Sequence, residues 1–177
     1  MTLVLSGNTG SALDGIKNSL MFLETAKATT SGTSIDFTGI PSWAKKITVM
    51  FNGVSTNGTS NILVQIGTSS GIETTSYTGT VAAITTTPGV NTLSTGFTSD
   101  ISASASAVRY GHLILISLGS NLWSASGCLG ATGINYSFVT GGVKTLSGTL
   151  DRVRITTING TDTFDAGSIN ILIEGYV

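Results

Sequence analysis

From Ile35 onward, apolar residues recur at every second position in short runs, and each run ends in Gly, Asn, Asp, Ser or Thr. Period-two alternation puts successive side chains on opposite faces of an extended chain, so these runs predict strands. The clearest are 46–51, 61–66, 108–118, 121–127, 152–158 and 168–176. Weaker ones lie at 35–37, 72–77, 80–86, 92–98, 135–140 and 143–147. Asn52-Gly53, Asn57-Gly58 and Asn159-Gly160 read as turns, because both residue types tolerate the positive φ of a tight hairpin. Eight to ten short strands in one domain, residues 31–177, predict an all-β fold: a two-sheet β-sandwich, jelly-roll-like by strand count. The predicted core is Ile47, Val49 and Phe51, then Ile62, Val64 and Ile66, then Val153 and Ile155, then Ile169, Ile171 and Ile173.

The faces opposite those residues are mixed. They carry Thr48, Gln65, Thr156 and Asn170, but also Met50, Leu63 and Leu172, while the 108–118 run is apolar on both faces. Strands buried on both faces lose alternation, so Met50, Leu63 and Leu172 are candidate subunit-interface residues. Residues 1–30 differ in style. Leu13, Ile16, Leu20 and Leu23 recur at spacings of three and four, with Ser11 placed to cap a short helix, while Gly15 and Asn18 weaken it. The segment reads as an anchoring arm, helical or extended, that docks on its own domain, a symmetry mate or a host structure.

Composition narrows the function. Of 177 residues, 29 are Thr, 23 Ser and 23 Gly, and 10% are charged against about 25% in an average soluble domain. Another 49 are Leu, Ile, Val or Phe, enough to form a core and to argue against disorder. A net charge of −1 offers no electrostatic footprint for a nucleic-acid backbone or an anionic membrane. Mean hydropathy is +0.35, yet no apolar run reaches the roughly 18–20 residues of a spanning helix, so membrane insertion is not expected. The short apolar start Met1–Leu5 is not a signal peptide, which points to synthesis without export.

Candidate chemistry is sparse. Gly67-Thr68-Ser69-Ser70-Gly71 matches a nucleophile elbow after a strand, but the following Ile72-Glu73-Thr74-Thr75 is β-branched where a helix is needed; a serine hydrolase is the remote reading. Ser42-Trp43-Ala44-Lys45 fits S-x-x-K without its companion motifs. His112 sits in an apolar run with no orienting carboxylate beside it in sequence, and Cys128 reads as a small buried hydrophobe. One His and one Cys cannot make a typical closed zinc site. Asp162 and Asp165 are the densest oxygen cluster, in a spacing unlike an EF-hand and natural for turns, so no cofactor is expected. Tyr77, Tyr110 and Trp123, with Trp43 and Tyr136, could offer stacking faces to a sugar.

Two stretches carry a resemblance. One runs 36–55 and opens Asp36-Phe37-Thr38-Gly39-Ile40-Pro41-Ser42-Trp43-Ala44-Lys45-Lys46-Ile47. The other runs 146–157 as Leu146-Ser147-Gly148-Thr149-Leu150-Asp151-Arg152-Val153-Arg154-Ile155-Thr156-Thr157 and continues through Asn159 to Asn170. They resemble small structural proteins of tailed bacteriophages, often labelled tail proteins or tail-fibre tips, over most of 33–176. The resemblance implies a non-enzymatic virion component, a homotrimer assembled in the host cytoplasm and displayed on the particle beside other virion proteins, as tail fibre, appendage or capsid decoration. It brings no catalytic motif. A host-glycan-binding module is the alternative. The loops around 69–77, 88–93 and 99–107 are the expected variable surface.

Overall fold

A computed structural model describes residues 19–101 and 104–176. Its strands are β1 (Ser19–Leu23), β2 (Lys27–Ala28), β3 (Ser34–Thr38), β4 (Ala44–Thr56), β5 (Ile62–Thr68), β6 (Gly71–Ile72) and β7 (Thr78–Ile84). Then come β8 (Gly89–Thr92), β9 (Phe97–Thr98), β10 (Val108–Gly119), β11 (Leu122–Thr132), β12 (Tyr136–Thr145), β13 (Arg152–Thr157) and β14 (Phe164–Tyr176). Nine of them form an antiparallel sheet in the order β1-β14-β4-β10-β11-β12-β7-β8, with β2 also on β14. The other five form β3-β13-β5-β6, with β9 also on β5. The fold is therefore an all-β two-sheet sandwich. Jelly-roll connectivity is not established by this order, because β10, β11 and β12 make a meander within one sheet.

All eleven predicted core residues are buried between the sheets. Register explains the packing, since directly opposite residues on paired strands share a face. One inner row of the large sheet runs Ile171, Val49, Leu113, Gly127, Thr140 and Val81; its neighbour holds Ile173, Ile47, Leu115 and Ala125. Against these lie Ile62, Val64 and Ile66 of β5 and Val153 and Ile155 of β13, each fully buried and each stabilising the fold by roughly 1.5–3 kcal/mol relative to exposure. Trp43 packs at the rim of this core, as a plug after Pro41.

Several local expectations are corrected. Asn52-Gly53 is not a hairpin turn. It lies inside β4, where the register with β10 shifts between Arg109 and Tyr110 and Gly53 takes φ +68°, so its conformational freedom serves a bulge. The 135–140 and 143–147 runs fuse into β12, and of 72–77 only Ile72 is in a strand. The described part of the arm is extended: Ser19–Leu23 pairs with β14 at the sheet edge and Lys27–Ala28 pairs with it further on. Residues 19–28 thus belong to the large sheet, and the boundary at 30 does not separate an arm from the domain. In a strand, Leu20 and Leu23 face opposite ways, so they form no helical stripe; Leu13 and Ile16 lie outside the described residues.

Candidate functional site

Each sheet has an outer face, and the two differ in chemistry. On the small sheet, Asp36, Arg154 and Gln65 lie side by side in one outward row and Ser34, Thr156 and Leu63 in the next. Arg154 donates to both Asp36 oxygens, at 2.7 and 2.8 Å, and the hydrogen bond to Asp36 holds its pKa above the usual arginine value. Gln65 Nε2 donates to the Thr95 carbonyl at 2.8 Å, and Thr156 Oγ1 to the Thr33 carbonyl at 2.8 Å. The segment before β9 lies flat over this face. A Cβ on Gly96 would fall 2.6 Å from Leu63 Cγ, so any larger residue there would have to displace the Leu63 side chain. Beside it opens a cleft of about 460 Å³, lined by hydroxyl and amide groups that include Thr33, Thr74, Gln65 and Asn159, with Leu63 and Ile158 as its apolar part.

Among the described residues nothing covers the large sheet's outer face. Its middle rows carry Ile114, Ile116, Val139, Val143, Met50 and Leu172, interleaved with Ser124, Ser126, Gly130, Gly141, Thr48 and Thr80. Val139 is 47% exposed and Leu118 58%, and at the β1 edge Met21 reaches 67%. The charge in these rows is one ion pair, Lys46 to Glu174 at 2.7 Å.

The candidate interface residues therefore divide. Met50 and Leu172 are half-buried on the large outer face, with Leu23 opposite Leu172 in register. Leu63 is not available: it belongs to the small sheet and is covered by the chain's own Gly96. The sugar-stacking candidates divide as well. Tyr77 and Trp123 are 3% and 4% exposed, buried as core rings and closed to a ligand, whereas Tyr110 is 46% exposed on the large outer face. Cys128 is exposed rather than buried, because its position on β11 points outward opposite His112.

Ser69 sits in the turn between β5 and β6, exposed, with its carbonyl accepting from Arg152 at 2.9 Å; the chain after it enters strand β6, not a helix. His112 faces outward between Cys128 and Met50 in register. Asp162 accepts from Asn159 at 2.6 Å and from the Ser60 amide at 2.8 Å, and these donors, the Asn159 side chain foremost, hold its pKa low. Asp165 accepts from the Ser55 hydroxyl. Asp162 thus ties two loops together, and Asp165 ties the start of β14 to the end of β4. Among the described residues no group of three His, Cys, Asp or Glu side chains is placed to hold a metal, and no helix is long and apolar enough to cross a membrane.

Two features escaped the sequence. Arg109 and Asp100 form a fully buried ion pair between the sheets: Nε lies 2.6 Å from Oδ2, Oδ1 accepts the Ile62 amide at 2.8 Å, and Nη1 reaches the Ala107 carbonyl at 2.9 Å. The signal was a lone arginine inside an apolar run, with the nearest upstream acid nine residues before it. Of the segment 99–107, expected as a variable loop, the two ends are anchored there, with Ser99, Asp100 and Ala107 fully buried. Second, Tyr77 closes the other end: its hydroxyl accepts from the Ile66 amide at 2.9 Å and lies 2.8 Å from the Glu73 carbonyl, and burial pushes its pKa far up. Glu73 itself pairs with Lys144 at 2.7 Å. No family model, curated protein or solved structure matches the chain.

Proposed function

We propose that the chain is a non-enzymatic structural component of a tailed-phage virion, a rigid surface-displayed sandwich that works by assembling with protein subunits. The observation that carries this reading is the broad, bare and nearly uncharged outer face of the large sheet. A face of that kind suits packing against protein rather than an ionic ligand or a nucleic acid. The resemblance of 36–55 and 146–170 to phage tail proteins supplies the setting. Ser69 on a strand-to-strand turn and His112 without a carboxylate in its row give hydrolysis no support. The test is antibody-labelled electron microscopy of purified particles made with an epitope-tagged chain. Label at one recurrent location on the particle is expected; particles that infect normally and carry no label would overturn the reading.

One observation favours a second reading, host-glycan binding: the hydroxyl- and amide-lined cleft on the small sheet. Polar groups converging around a small apolar floor suit a saccharide better than the buried rings of Tyr77 and Trp123 do. Saturation-transfer NMR with host polysaccharide, repeated on Gln65→Ala and Asn159→Ala, distinguishes it; no transfer to any host glycan removes it.

A further inference from the structure

We infer that the outer face of the large sheet is the surface on which a second copy of this same chain packs. The inference rests on the structural reading above and names the partner of that face.

Its size fits. The five long strands β14, β4, β10, β11 and β12, of 10–13 residues each, cover about 24 Å across at roughly 4.8 Å spacing and about 34 Å along the strands. The face is therefore on the order of 800 Å², against roughly 800 Å² per partner in a standard stable interface. The rows carry the relief that sheet-on-sheet packing needs. Ile114, Val139 and Leu172 stand above Ser126, Gly141 and Thr80, so ridges on one copy meet hollows on another at about 10 Å separation. The chain's own small sheet packs on the inner face by the same rule.

Charge selects the occupant. Lys46 and Glu174 neutralise each other, so the face presents no sign for a charged partner to match. With a net charge of −1, two copies repel one another hardly at all. A neutral face on which small and apolar residues alternate offers a second copy of itself ridges for its hollows, which is what a contact between like subunits requires. β10 and β11 lie at the middle of the strand order, so Cys128 and His112 sit near the centre of the contact, where the single thiol reports on burial.

The experiment is sedimentation velocity of the full chain over a wide concentration range, beside Leu172→Asp, Ile114→Asp and, as a control on the small sheet, Thr38→Asp. We expect the unmodified chain and the control to sediment with the mass of two or more 18.0-kDa chains, and both face variants to lose that species. A monomer at every concentration, or an oligomer indifferent to both face variants, overturns the inference. Should the variants fail to fold, the reaction of Cys128 with a thiol reagent decides on the unmodified chain. Slowing as concentration rises supports the contact, and a constant rate overturns it. The virion reading fails separately: an oligomer absent from particles keeps this inference and removes that one, and a monomer present in particles does the reverse.

Discussion

The outer faces of the two sheets are written in one vocabulary of Thr, Ser and apolar residues, yet they serve different ends. On the small sheet the central outward polar groups are engaged by the chain itself: Asp36 by Arg154, Gln65 by Thr95, Thr156 by Thr33, with Gly96 lying over Leu63. On the large sheet the outward side chains of β10, β11 and β12 meet no covering segment among the described residues, and Val139, Val143, Ile116 and Leu118 stay exposed. The charges are distributed to match. The ion pair of Asp36 with Arg154 sits on the small sheet and those of Asp100 with Arg109 and Glu73 with Lys144 join the sheets, which leaves Lys46 with Glu174 as the pair in the broad face's middle rows. The lesson is that a low-charge chain can keep a large surface sticky if its few ionic groups are spent on holding the frame.

The largest effect should follow from breaking the tie between the sheets. Asp100 follows β9 of the small sheet and Arg109 belongs to β10 of the large one, and both are fully buried. Arg109→Met leaves a buried carboxylate with its main cationic partner gone, and urea unfolding should show a loss of about 3–5 kcal/mol. Adding Asp100→Ala should restore much of it, because the stranded charge goes too. A single-variant loss below about 1 kcal/mol would mean that the pair does no more than an exposed one. Next comes Tyr77→Phe, which strands the Ile66 amide and the Glu73 carbonyl at the covered end of the small sheet. The expected cost is about 1–3 kcal/mol in the same measurement, and no change would show that water reaches those groups.

Both of these sites mark the limit of what the sequence discloses. Alternation located the core because it depends only on neighbours along the chain, and all eleven chosen residues, from Ile47 to Ile173, are buried. The outward positions are a different problem. Met50, Leu63 and Leu172 look alike in sequence, and only the pairing of β5 with β9 and the path of Gly96 set Leu63 apart. Tyr77 and Trp123 were open to reading as surface rings because nothing local says which strand will face them. Asp100 and Arg109 meet through tertiary placement, so composition could count them but not join them. Asn52-Gly53 carried the right conformational signal, positive φ, for the wrong use, since a bulge and a hairpin ask the same of glycine.

Between the two outer faces, a smaller effect separates frame from surface. Arg154→Ala removes a bidentate pair whose side chains are each 38% exposed, so thermal unfolding should report a loss of no more than about 1 kcal/mol. The same substitution should leave sedimentation unchanged, because the pair lies on the sheet that the chain covers for itself. A change in oligomeric state on Arg154→Ala would erase the distinction between the faces.

The smallest effect is one of pH, and it sharpens the same contrast. Glu73, just beyond β6 of the small sheet, meets Lys144 on the inner side of β12 at 2.7 Å, with the Ser147 hydroxyl at 2.7 Å and the Ser147 amide at 2.8 Å. Partial burial pushes its carboxyl pKa upward, and the hydrogen bonds from Lys144 and Ser147 outweigh it, so the net direction is down. A carboxylate whose folded pKa lies below its unfolded one stabilises the fold fully above the unfolded value, near pH 4.3, and loses that contribution as pH falls through the folded value. The Tm gap between the unmodified chain and Glu73→Gln should therefore be constant from pH 7 to about 5 and close as acid is added below it. Lys46 and Glu174 on the broad face make the control, since their pair joins neighbouring strands of one sheet and ties no second layer down. A gap for Glu73→Gln that keeps its neutral value below pH 3 would show that the ionised carboxylate plays no part in holding the small sheet's loop to the large sheet.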